Sequence, residues 1–185
     1  MWDCWAVASS STFTDRYCIE RAKKGLKTPV SDPDNQSSDD EILSCTPSTS
    51  GCNGGSPYYA WQYMKDSGVV SGSNFEKKTG CKPYSINPAT SGHTPKCVSK
   101  CTNSKWPIQY NNDKKFENNK QKSTGHAIRI IGWGTQICSG KVQPFWLVIN
   151  SWGKEWGMNG VFMIAQGSDE CKIETWGAFF GKPKV

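Results

Sequence analysis

Between Val69 and about Asn119 the chain runs without hydrophobic periodicity, rich in Gly, Pro, Asn and Lys and poor in apolar residues. So long a stretch inside a compact domain is either functional or tied down. Cys81, Cys97 and Cys101 lie within it and could tie it. The stretch divides the chain into a helical half and a strand-rich half. Before it, Cys4 to about Lys24 reads as a helix, with Trp5, Ala8, Phe13, Tyr17 and Cys18 as an approximate apolar face and Gly25 as its stop. Asp3 stands at its capping position. A Pro/Asp-rich loop, Leu26 to Gln36, leads to Ser38-Asp39-Asp40-Glu41, a capping-box pattern that opens a short helix ending near Cys45. Cys52-Asn53-Gly54-Gly55 is a turn, and Ser56-Pro57 opens a helix through Ala60, Trp61 and Met64 that stops at Gly68. After the stretch, Ala127 to Trp133 and Phe145 to Ile149 predict two strands joined by a loop, and Gly160 to Ile164 predicts a third.

At 185 residues the chain can bury a real core. Mean hydropathy is −0.62 and no run of 18 or more apolar residues occurs, so no membrane span is expected. No signal-peptide pattern is expected either, because the candidate nucleophile follows Met1 within three residues. The net charge of +6 has two readings, a solvated basic surface or a nucleic-acid site. Basic residues form no clustered helix or aromatic platform, which favours the first. Nine cysteines point to an oxidising compartment, and an odd count leaves at least one thiol outside any bridge. Asn35-Gln36-Ser37 is a glycosylation sequon, in keeping with secretion.

That remaining thiol has a candidate in Cys4. A thiol at a helix N-terminus feels the positive end of the macrodipole, which favours the nucleophilic thiolate. A thiolate needs a base, and one of only two histidines lies in Gly125-His126-Ala127-Ile128. Asn150-Ser151-Trp152-Gly153 follows. Each residue has a bland alternative, since cysteine is commonly a core residue and histidine often structural. In the order Cys, His, Asn, they form an arrangement for nucleophilic catalysis.

With Cys4-Trp5-Ala6, Gly51-Cys52-Asn53-Gly54-Gly55, Gly125-His126-Ala127-Ile128 and Asn150-Ser151-Trp152-Gly153 in this order, the chain resembles the papain-like cysteine proteases, and its middle resembles the cathepsin B branch. The resemblance runs from Trp2 to about Pro183. It implies an α+β, two-lobed fold in one peptidase domain: a helical lobe over 1–68, a disulfide-tied region with a shortened occluding loop over 69–119, and a strand-rich, barrel-like lobe over 120–185. It implies Cys4 as nucleophile, His126 as base, Asn150 as the residue orienting His126, and Trp152 as the shield over that bond. Gly54 and Gly55 match substrate-backbone contacts, in the manner of β-augmentation; read alone, they are a tight turn. Pro57, Ala127 and Trp176 match the S2 pocket. Trp176 stands where cathepsin B has a glutamate, which predicts apolar P2 residues. The stretch from Cys81 to Cys97 lacks the histidine pair that binds a substrate C-terminus, and His93 does not align with it. Endopeptidase action is therefore expected rather than dipeptide release.

The resemblance further implies disulfides Cys45–Cys97 and Cys81–Cys101. A zinc set of Cys81, His93, Cys97 and Cys101 is the alternative, weakened by the lack of paired Cys-x-x-Cys knuckles. Cys18 and Cys52 lose their family partners and are left to each other or to none, Cys138 has no family counterpart, and Cys171 resembles a buried family thiol. Protein or peptide substrates, cystatin-type inhibitors, a monomer, a lysosomal or secreted location, and no cofactor, metal, nucleic acid or membrane partner are implied.

Three departures bear on activity. The glutamine of the family's oxyanion hole has no position here, and one such donor is worth on the order of 10²–10³ in rate. Trp2-Asp3 replaces Gly-Ser before the nucleophile, placing a carboxylate that opposes thiolate formation. The spacing from Cys4 to His126 is short against about 130–150 residues in papain-type chains, and several tens of residues are expected to be missing between Phe116 and Gly125. The alternative to an active enzyme is an inactive homologue, serving as decoy or binding module, or an incomplete gene product.

Overall fold

The computed structural model describes residues 3–26, 36–90, 92–106 and 125–183, together with the backbone of 116–118. Met1, Trp2, Asn35 and most of the stretch between Phe116 and Gly125 lie outside the described residues.

The first helix, α1, spans Cys4–Lys23. Trp5, Ala6, Ser9, Ser10, Phe13, Thr14 and Cys18 are buried, a stripe with the three-to-four-residue step of one helical face. Gly25, at φ 71, ends it. Its N–H donates to the Ala22 carbonyl at 2.9 Å, and the Leu26 N–H donates to the Arg21 carbonyl at 3.1 Å. These are the paired bonds of a glycine-terminated helix. Helix α2 is Asp39–Cys45. Ser38 caps it, its hydroxyl accepting the Glu41 N–H at 3.0 Å. Only half the expected box forms. The Glu41 carboxylate accepts the Val70 N–H at 2.6 Å and pairs with Lys82 at 3.2 Å, while the Ser38 N–H donates to the Val70 carbonyl. The box residues thus clip the start of the long irregular stretch to α2. Helix α3, Pro57–Asp66, is capped by Ser56, which accepts the Tyr58 N–H at 3.3 Å. The core joins all three helices through Trp5, Phe13, Ile42, Leu43, Trp61 and Met64.

The described residues between Val69 and Trp106 hold no helix or strand, only an isolated bridge from Ser71 to Ser37. Disulfides Cys45–Cys97 and Cys81–Cys101 fasten this stretch. Cys81 also accepts the Thr102 and Asn103 N–H groups on its carbonyl, at 3.0 and 3.1 Å. With Cys81, Cys97 and Cys101 in bridges, the zinc alternative has lost its ligands. Among the described residues no cluster of three His, Cys, Asp or Glu side chains could hold a metal.

The C-terminal half is an antiparallel sheet, β2 Arg129–Cys138, β3 Lys141–Ile149 and β4 Val161–Ala165, in that order. A short strand β1, Phe116–Asn118, pairs with β5, Gly181–Pro183. The expected loop between the first two long strands is instead a continuation of their ladder. Gly134 to Cys138 and Lys141 to Pro144 mix Thr135, Ile137 and Val142 with Gly, Gln, Lys and Pro, and they pair throughout. Ser139 and Gly140, at φ 51 and 76, close them with a two-residue turn whose twist suits a hairpin. The far end of this hairpin leaves Trp133 and Ile137 exposed at 76% and 77%, and Val142 at 71%. Among the described residues no helix is long and apolar enough to cross a membrane.

Candidate active site

Cys4 is the first residue of α1 and is half-buried. Asp3 holds the capping position with its backbone alone: its carbonyl accepts the Ala6 and Val7 N–H groups at 2.9 and 3.1 Å, and its side chain makes no cap. The carboxylate turns away and accepts the Tyr84 hydroxyl instead. Burial first, and the Asp3 bond second, push the Tyr84 phenol well above its ordinary range. The charge beside Cys4 therefore has a fixed donor on the long irregular stretch, a partner for which the local sequence carries no signal.

Trp5 ties the glycine turn to the same helix end. Its indole N–H donates to the Gly51 carbonyl at 3.2 Å, and its ring lies where a Cβ on Gly55 would be. A side chain at Gly55 would therefore displace Trp5 and with it the start of α1. Gly54 uses its backbone within the turn: its N–H donates to Gly51 at 3.1 Å and its carbonyl accepts the Ser50 N–H at 2.8 Å. Gly55 makes no backbone hydrogen bond among the described residues.

Across the cleft, the His126 Nε2 lies 2.8 Å from the Asn150 Oδ1. That oxygen also accepts the Ser151 N–H at 2.8 Å, which marks it as the carbonyl end of the amide. His126 Nε2 is then the nitrogen that donates to Asn150, and Nδ1 is the nitrogen left to face another partner. Asn150 is itself buried and held by its N–H to the Gly160 carbonyl at 2.9 Å. The Trp152 indole stacks on His126 with centroids 5.3 Å apart. Trp156 packs edge-on against Trp152, and Phe162 against Trp156. These rings connect His126 to β4, though Trp152 itself is 60% exposed.

A cavity of about 510 Å³ lies between the helices and the sheet. Gly55, Pro57, His126, Ala127 and Trp176 all line it. Ala8, Thr12 and Arg16 form its α1 wall, and residues four apart share one helix face. Cys4 stands one turn ahead of Ala8 on that face. Cys4, Gly54, Asn150 and Trp152 are not on the cavity wall. The Trp176 ring meets the chain at Gly125, where a Cβ would come within 2.7 Å of it.

Cys171, expected to be buried, is exposed. It sits at φ 53 in the turn Glu170–Lys172, on the cavity rim, because the loop after β4 folds around its own carboxylates rather than into the sheet. Cys18 and Cys52 are buried and not bridged to each other, and Cys138 is exposed at the end of β2. His93 is exposed on the long stretch.

The profile of the papain family cysteine proteases matches residues 3–124 and 110–179, two segments that overlap at the stretch where residues are expected to be missing. The chain is 33% identical to cathepsin B-like cysteine proteinase 4 of Caenorhabditis elegans over 239 residues, covering 98% of this chain and 68% of that protein. It is 35% identical to the gut-specific cysteine proteinase of the same organism, covering 98% and 66%. The first alignment is longer than the chain, so several tens of positions in that relative have no counterpart here. Among solved structures, procathepsin B S9 from Trypanosoma congolense has the same fold, with a TM-score of 0.70 at 24% identity, covering 98% of this chain and 69% of that one. The chain belongs to the papain family of cysteine proteases, on its cathepsin B-like side.

Proposed function

We propose that this chain is a cysteine-type endopeptidase working through Cys4, His126 and Asn150. The observation that supports it best is the His126–Asn150 bond, with Trp152 stacked on His126 and His126 lining a cavity whose α1 wall starts at Ala8, one helical turn after Cys4. With Nε2 donating to Asn150, Nδ1 is the nitrogen that takes the Cys4 proton. The resulting thiolate attacks the peptide carbonyl, and the imidazolium Nδ1 protonates the departing amine. Water, giving its proton to Nδ1, then releases the acyl group from sulfur. The Cys4 and Trp5 N–H groups, at the start of α1 ahead of the Ala6 and Val7 donors taken by the Asp3 carbonyl, are the donors available to the oxyanion. Gly55 offers backbone groups to the extended substrate, and Pro57, Ala127 and Trp176 form the pocket for its P2 side chain. Trp176 offers a large apolar surface and no carboxylate, so a basic P2 residue would be desolvated without a counter-charge.

The substrates are proteins or peptides, the location lysosomal or secreted, and cystatin-type proteins are fitting inhibitors of such a monomer. The test is hydrolysis of fluorogenic dipeptides: leucine or phenylalanine at P2 should exceed arginine by roughly 10–100-fold in kcat/KM, and longer peptides should be cut internally. Preference for arginine, or release of C-terminal dipeptides alone, would contradict this reading. A catalytically inactive homologue is the second reading. The several tens of unmatched positions and the exposed apolar end of the β2–β3 hairpin favour it.

A further inference from the structure

The loop between β4 and Trp176 is built around two carboxylates that cap each other's backbone. Asp169 Oδ1 accepts the N–H groups of Glu174 at 3.1 Å and Thr175 at 2.9 Å, and its Oδ2 accepts the Thr175 hydroxyl at 2.8 Å. Glu174 Oε2 accepts the Asp169 N–H at 3.0 Å, and its Oε1 accepts the Gly167 N–H at 2.7 Å. The same Oε1 accepts the Trp146 indole N–H at 3.1 Å, which anchors the loop to β3. Inside the loop Asp169, Cys171 and Lys172 all have left-handed backbones, at φ 51, 53 and 62. Left-handed backbone costs non-glycine residues and persists only where the surroundings over-determine it. Here the over-determination is visible in those six bonds. The loop ends on Trp176, whose N–H donates to the Lys172 carbonyl at 2.9 Å and whose ring lies against Gly125, the residue before His126.

We infer that Asp169 and Glu174 are positioning residues for substrate selection: their interlocked carboxylates hold Trp176 against Gly125 and so fix the wall of the P2 pocket beside His126. Neither touches the reacting atoms. The inference rests on the protease reading, with Cys4 as nucleophile and the cavity as substrate pocket. Backbone and side-chain donors also hold both carboxyls below their ordinary range.

Two alkylators separate the inference from the reading beneath it. Iodoacetamide has no P2 group and reports on the Cys4–His126 pair. An epoxysuccinyl-leucyl amide needs the P2 pocket as well. Rates at Cys4 are followed by mass spectrometry, which keeps Cys138 and Cys171 apart. In Glu174→Ala and Asp169→Ala the epoxide rate should fall about tenfold, the worth of an apolar pocket contact, with the iodoacetamide rate unchanged within about twofold. Glu174→Gln, which retains an acceptor for Trp146 and Gly167, should restore most of the epoxide rate. Equal epoxide rates in the parent and both alanine variants would overturn the inference while leaving Cys4 a nucleophile. A parallel fall in both rates would also overturn it, by showing general loss of structure. A parent in which neither reagent prefers Cys4 would remove the protease reading and this inference with it.

Discussion

Asp39 sets a pH dependence at a single side chain. It lies in the first turn of α2 and accepts the Ser10 hydroxyl of α1. Loss of hydration raises its carboxyl to about 7; the Ser10 bond opposes this, and the nearby Asp3 and Asp40 carboxylates add to it. A carboxyl whose folded value lies above its unfolded value binds more protons in the folded state. Stability is therefore full below about pH 4, falls as pH rises toward 7, and levels off above that. The loss is on the order of 1–3 kcal/mol for such a partly exposed group. Thermal unfolding at pH 4.5 and 7.5 should show a larger drop for the parent than for Asp39→Asn, which keeps an acceptor for Ser10 without the charge. Equal drops would contradict the assignment. At this scale the sequence carried some roles and hid others. Cys4, His126 and Asn150 stood out because their neighbours form short motifs. Tyr84 could not, since its contact with Asp3 spans 81 residues, from the head of α1 into the irregular stretch. The exposure of Cys171 was hidden because it depends on Asp169 and Glu174 folding the loop on itself.

The elements followed their local chemistry where that chemistry was local. The ends of α1 and α3 lie within a residue or two of their sequence signals because glycine, proline and serine act on adjacent backbone. The β2–β3 hairpin outran its signal, since cross-strand pairing carried Gln136 and Gln143 into the ladder against their weak strand preference. The stretch from Val69 to Trp106 has no element of its own, and its order depends on crosslinks. Cys45–Cys97 closes 52 residues and Cys81–Cys101 closes 20, loops worth about 4 and about 3 kcal/mol in the chain-entropy description. Paired Cys45→Ser and Cys97→Ser substitutions should lower denaturant stability by roughly 2–4 kcal/mol and expose this stretch to protease. Unchanged stability would mean that the Glu41–Lys82 pair and the Ser38 contacts hold it unaided.

On the scale of the molecule, helices and sheet face each other across a cavity lined by Ala8, Thr12 and Arg16 of α1 and by His126, with Cys4 one helical turn ahead of Ala8. The succession of a helical and a strand-rich half was legible from the change of pattern at Gly125, and the family, with the two-lobed fold it implies, from four motifs in order. How the lobes meet was not, because it depends on Trp176, Gly125 and the α1 stripe together. The central claim is that this arrangement makes Cys4 a nucleophile activated by His126. The most direct measurement is covalent labelling by an epoxysuccinyl peptide at mildly acidic pH, mapped by mass spectrometry, with Cys4→Ala and His126→Ala alongside. A single adduct on Cys4, lost in His126→Ala, is the predicted result. A soluble, folded chain whose Cys4 stays unmodified, or labels equally without His126, would contradict it and leave the inactive homologue as the reading.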